Sequence, residues 1–187
     1  MKNLCIYIVE KLFCLISLLF LSTSPVLLTA QNTKAVSYDP DTLITAANEL
    51  IQSTRFCALI TLDKSGHPQV RIMDPFYPDE NMTVWLGTNV NSRKVREIRN
   101  DSRVTLYYED SSGAGYVVIK GHAVIVDDEE KEKKYWKKEW DAYYSDQKSN
   151  FALIKVTPHE LEIIDYNHGI IGDSETWAVP KIKFNVK

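Results

Sequence analysis

Between Phe56 and Val126 the chain passes through five strand-length apolar segments whose connections are mostly too short to carry repeated parallel crossovers. The segments are residues 56–62, 67–73, 82–88, 103–109 and 116–126. Asp63-Lys64-Ser65-Gly66 separates the first two and supplies a glycine where a tight turn needs positive φ. Residues 151–156 and 161–164 add a further pair around Pro158-His159, and residues 177–186 are expected to end in a short strand. Local pairing of this kind gives a mainly β fold of six or more antiparallel strands. Gly121, inside the longest segment, predicts the bulge or bend that closing a small barrel requires.

About three helices decorate this sheet. Asp39 caps the first, Pro40 occupies its first turn, and Leu43, Ala46, Ala47, Leu50 and Ile51 recur at helical spacing until about Ser53. Asn91 or Ser92 caps a short basic helix holding Arg93, Lys94, Arg96 and Arg99. A third helix is expected over residues 127–144, with Glu129–Lys133 and Glu130–Lys134 as surface pairs. Trp136, Trp140, Tyr143 and Tyr144 are expected on one side of it, as core or dimer contact.

The first thirty residues are a different kind of sequence. Lys2 and Lys11 precede an apolar run of about ten residues, which leads through Ser, Thr and Pro to Ala30. That is the layout of a secretory signal peptide, and the run is shorter than the ~20 residues a membrane span needs. The reading is therefore residues 1–30 as a signal peptide, 31–38 as a linker and 39–187 as one domain, exported to the periplasm or secreted, with no membrane span after cleavage; a retained anchor using residues 6–28 as one longer span is the less favoured reading. The whole chain carries 22 basic and 25 acidic side chains. General basicity of the kind that drives nucleic-acid binding is thus excluded. Cys57 is the sole cysteine beyond the leader and reads as a buried small hydrophobe. His67, His122, His159 and His168 show no metal-ligand spacing, so no metal is expected.

Chemistry concentrates in Trp85-Leu86-Gly87-Thr88-Asn89-Val90-Asn91-Ser92-Arg93-Lys94, where a strand runs directly into a helix start. Free backbone N–H groups, a hydroxyl and two cations converge there, which is what a phosphate monoester requires. A capped basic surface helix is the other reading of the same residues.

The stretch Thr88-Asn89-x-x-Ser92-Arg93-Lys94-Val95-x-Glu97-Ile98-x-x-Asn100-x-x-Arg103-Val104 resembles the pyridoxamine 5′-phosphate oxidase-like, FMN-binding split-barrel superfamily. Gln69-Val70-Arg71-Ile72-Met73 resembles its arginine-bearing second strand, and residues 115–123 resemble its long strand ending in G-x-A. Residues 150–158 are similar to its general-stress-protein branch.

The resemblance implies an FMN-binding split β-barrel, with haem or a deazaflavin as the less favoured cofactors. Arg71 would bind the phosphate or ribityl chain, with Ile72 and Met73 offering backbone contacts. Gly87 and Thr88 would approach the ring or ribityl portion, Ser92, Arg93 and Lys94 would hold the phosphate, and Tyr116 would contact the flavin. It also implies a homodimer with the flavin cleft between subunits and an oxidoreductase acting on an unidentified small molecule, the catalytic residues being unassigned. A non-catalytic flavin or haem binder of the same fold is the alternative. True pyridoxamine-phosphate oxidases carry a C-terminal Arg and His block. The tail here, residues 172–180, contains no Arg, so vitamin B6 oxidation is not expected.

Overall fold

A computed structural model describes residues 37–144 and 150–185, so the expected signal peptide and nearly all of the linker lie outside the described residues. Helix α1, Pro40–Ser53, starts where Asp39 accepts the Thr42 N–H at 3.3 Å, and it buries Leu43, Ala46, Ala47, Leu50 and Ile51. Strands β1, Cys57–Leu62, and β2, Pro68–Met73, form the first hairpin. In its turn Asp63 Oδ1 accepts the Ser65 and His67 N–H groups, and Gly66 adopts φ 81°. Strand β3, Val84–Asn89, leads into helix α2, Arg93–Asn100. Strands β4, Arg103–Glu109, and β5, Gly115–Val126, pair along their length. Helix α3 covers Glu129–Lys134, β6 covers Phe151–Asp165, and β7 is the short strand Lys181–Lys183.

All pairings are antiparallel, in the order β2-β1-β4-β5-β6-β3, with β7 beside the far half of β6. The sheet curls over a core of Leu59, Leu86, Leu106, Ile119, Ile154 and Leu161, against which α1 packs. β2 and β3 end the path and do not pair with each other, so the barrel stays open along that seam. Among the described residues this is a split barrel of seven strands and three α-helices.

Two local expectations are corrected. Residues 151–165 form one strand, not two flanking a turn. Pro158 sits opposite Gly121, where the β5–β6 register shifts. A residue without an N–H costs little at such an irregularity. A Cβ on Gly121 would stand 2.4 Å from the Thr157 carbonyl oxygen, so glycine and proline together make one bulge. The helix expected over 127–144 breaks after Lys134 and resumes as a 3₁₀ turn, Lys138–Ala142. The break turns the aromatics inward. Tyr135 stacks on Trp85 at 4.4 Å, and Trp136, Trp140 and Tyr144 close around Phe151 on the outer face of β3 and β6. Tyr143 points away and is 82% exposed. Cys57 is buried, and burial pushes its thiol up to about 12, as a packing residue rather than a nucleophile would have it. Among the described residues no helix is long and apolar enough to cross a membrane.

His168, in the 3₁₀ turn Tyr166–His168 after β6, clasps α1. Its Nδ1 lies 2.6 Å from Asp165 Oδ2 and its Nε2 lies 3.0 Å from Glu49 Oε2. The bond to Asp165, then the two negative charges, raise its pKa. A raised folded pKa stabilises fully below the unfolded value of about 6.5, and the benefit is lost as pH rises through the folded value. His168→Ala should therefore lower Tm most in mildly acidic buffer and least at alkaline pH. A Tm difference that grew with pH would contradict the clasp.

Candidate anion-binding site at the barrel seam

The seam is bridged by α2. On the β2 edge, Arg71 Nη1 donates to Thr61 Oγ1 at 2.5 Å and to the Gln69 carbonyl at 2.9 Å, while Nη2 donates to Glu97 Oε2 at 2.7 Å. On the β3 edge, Lys94 Nζ donates to Thr88 Oγ1 at 2.9 Å, and Thr88 Oγ1 lies 3.4 Å from Ser92 Oγ. Arg93 Nε lies 2.9 Å from Glu97 Oε1, one turn further along α2. Residues from both free edges of the sheet therefore meet through one helix.

Local sequence explains the geometry. Val95 and Ile98 are buried against the barrel, which fixes the rotation of α2. That rotation sends Arg93 outward, holds Lys94 half-buried, and drives Glu97 inward. Ser92 occupies the N-cap position but forms no bond to the helix backbone; its hydroxyl leans toward Thr88 instead. The first-turn N–H groups of α2 are thus left uncapped at the positive end of the helix dipole.

Glu97 is the negative centre of the cluster. It is 6% exposed, accepts from Thr61 Oγ1 at 2.5 Å, and carries both arginines. The Arg93 contact is an ion pair without hydrogen-bond alignment, so the buried Oε1 has no hydrogen-bond partner. Three cations around one carboxylate leave an excess of two positive charges. Burial is the first cause that lowers the Lys94 pKa and Arg71 the second; Glu97 opposes the effect and Arg93 adds to it. A group of this sign and strength suits a phosphate monoester, which carries about −1.5 to −2 charge at neutral pH.

Arg71, Thr88, Ser92, Arg93 and Lys94 come together around α2; four other predicted residues stand apart. Met73 is buried on the inner face, whereas Ile72 is 67% exposed on the outer face of β2. Both lie on a strand with a neighbour on one side only, so part of its backbone hydrogen-bonding capacity faces the seam. Gly87 faces the aromatic cluster, where an added Cβ would be 2.3 Å from Trp140. Its close approach is made to that ring. Tyr116 lies on the outer face beside Tyr107, at 5.7 Å between rings, in a hollow also lined by Ile164, Tyr166 and Trp177. Glu97 and Thr61 complete the cluster, and sequence reasoning gives them no role. Glu97 had a signal, its four-residue spacing from Arg93. Thr61, an ordinary strand threonine, had none.

These observations define a class: an antiparallel split barrel with a cationic cradle at its open seam. A family model described as pyridoxamine 5′-phosphate oxidase like matches residues 44–177, and the chain belongs to that family. A solved Clostridium acetobutylicum protein related to general stress protein 26 of Bacillus subtilis, of the pyridoxinephosphate oxidase family, is 20% identical, with a TM-score of 0.63 over 78% of this chain and 96% of its own. General stress protein 26 from Bacillus anthracis is 24% identical, with a TM-score of 0.58 over 65% of this chain and 93% of its own. A heme binding protein from Mycobacterium smegmatis is 14% identical, with a TM-score of 0.55 over 74% of this chain and 56% of its own. At these identities the likeness is one of fold. No curated protein matches the sequence.

Proposed function

We propose that this protein is an exported, homodimeric FMN-binding oxidoreductase acting on a small molecule, with the flavin phosphate seated in the seam cradle. The meeting of Arg71, Arg93 and Lys94 around the single carboxylate of Glu97, beside the Thr88 and Ser92 hydroxyls, carries this reading. Lys94, Arg93 and the Ser92 hydroxyl hold the phosphate, with the uncapped N–H groups of α2 behind them. Arg71, braced by Glu97 and Thr61, keeps its guanidinium oriented and adds positive charge. The backbone of β2 at Ile72 and Met73 offers donors and acceptors to the ring edge. When bound, FMN supplies the redox chemistry, and the protein supplies anchoring, orientation and shelter from water. The aromatic strap of Trp136, Trp140 and Tyr144 covers the outer face of β3, which leaves the seam as the open side. Val70 and Ile72, 61% and 67% exposed on one face of the edge strand, support a second copy packing there. Tyr116 then serves a flavin contact through the dimer or not at all.

The test is FMN titration of the mature chain, followed by fluorescence, with riboflavin as the probe that lacks phosphate. FMN is expected to bind with micromolar or better affinity. Arg93→Ala combined with Lys94→Ala should weaken FMN by about 2–4 kcal/mol, the scale of charge-assisted contacts. Riboflavin affinity should barely change. Equal losses for both ligands would place the phosphate elsewhere, and a Soret band on haem titration without flavin uptake would favour the haem-binding alternative.

A further inference from the structure

We propose that His122 and His159 form a two-histidine site for a divalent transition-metal ion of the zinc class, independent of the flavin reading. The residues are 37 apart in sequence and sit on neighbouring strands, β5 and β6, with ring centroids 5.6 Å apart. The Gly121–Pro158 bulge brings them together. Lys120 pairs with Glu160 and Gly121 with Pro158, so His159 is the extra residue that the bulge inserts, and it emerges beside His122.

The spacing suits a shared ion. With Zn–N at about 2.0–2.1 Å, two imidazoles on one tetrahedral centre place their rings on the order of 5 Å apart. Both histidines are exposed, so ligation requires no opening of the fold. His122 has a supporting partner: Ser102 Oγ lies 3.0 Å from Nδ1, and the Ser102 carbonyl accepts the Ala123 N–H at 2.7 Å. With Nδ1–H donating to the hydroxyl, Nε2 keeps its lone pair for a metal, the arrangement that orients most ligating histidines. His159 is held through its own carbonyl, which accepts the Phe184 N–H at 2.9 Å. Among the described residues no group of three or more His, Cys, Asp or Glu gathers as a closed cage. Water completes the coordination, which makes this an open, exchangeable site rather than a structural one.

The experiment is isothermal titration of the tag-free mature protein with ZnCl₂. One ion per chain with micromolar affinity is expected. His122→Ala and His159→Ala should each weaken binding about tenfold or more, and Ser102→Ala by less. His67→Ala, an exposed histidine elsewhere, should leave binding unchanged. Unaltered far-UV spectra would show that the variants fold. Absence of zinc binding, or binding indifferent to both substitutions, would overturn the proposal, as would an equal loss in His67→Ala.

Discussion

Gly87→Ala should unseat Trp140 and destabilise the protein by about 1–3 kcal/mol, although the change adds a single methyl group. The methyl would lie 2.3 and 2.4 Å from two Trp140 ring carbons and 2.8 Å from Phe151. Neither ring can yield cheaply. Trp140 is held edge-on by Trp136 at 5.8 Å and by Phe76 at 5.8 Å, while Lys137 sits over its face at 5.6 Å. Loss of near-UV circular dichroism and a red shift in tryptophan emission should accompany the lower Tm. Trp140→Ala alone should cost about 3–5 kcal/mol. In the Gly87→Ala background it should cost less, because the methyl then occupies part of the vacated space. The effect should reach the site, since Thr88, the next residue, holds Lys94 from the same strand. A variant with wild-type Tm and near-UV spectrum would mean that the strap does not rest on Gly87.

What could be read in the sequence was local. Asp39-Pro40 followed by a 3.6-residue apolar repeat fixes both ends of α1, because cap, first turn and buried face lie within one short window. The Asp63–Gly66 turn is legible for the same reason, as is the cationic strand-to-helix entrance. What escaped was set by distant partners. The aromatic repeat of 127–144 reads as helix, yet Trp85, Phe76 and Phe151 draw it off the helix axis. Pro158 reads as a turn until Gly121 is placed opposite it. Glu97 lies in the stretch that carries the family resemblance but has no role there, and only the approach of β1 and β2 makes it the buried centre of the cluster. Gly87 reads as a ligand approach, whereas its neighbour is a tryptophan 53 residues downstream.

Glu97→Ala is expected to cost about 3–5 kcal/mol, as much as Trp140→Ala, because it strands Arg71 in a mostly buried position without its carboxylate. Thr61 Oγ1 loses its acceptor at the same time. Glu97→Gln separates shape from charge. It retains an acceptor for Arg71 and Thr61 but raises the excess of positive charge from two to three, so the free protein should lose about 1–3 kcal/mol. An anion in the cradle should return part of that loss. The rise in Tm on adding FMN, or inorganic phosphate at higher concentration, should therefore be greater for Glu97→Gln than for the wild type, since ligand stabilisation grows with the logarithm of affinity for the folded state. A merely structural salt bridge would lower both Tm values and leave the ligand-induced rise the same. An equal rise in the two proteins would show that no anion occupies the seam, even if the barrel stands as described.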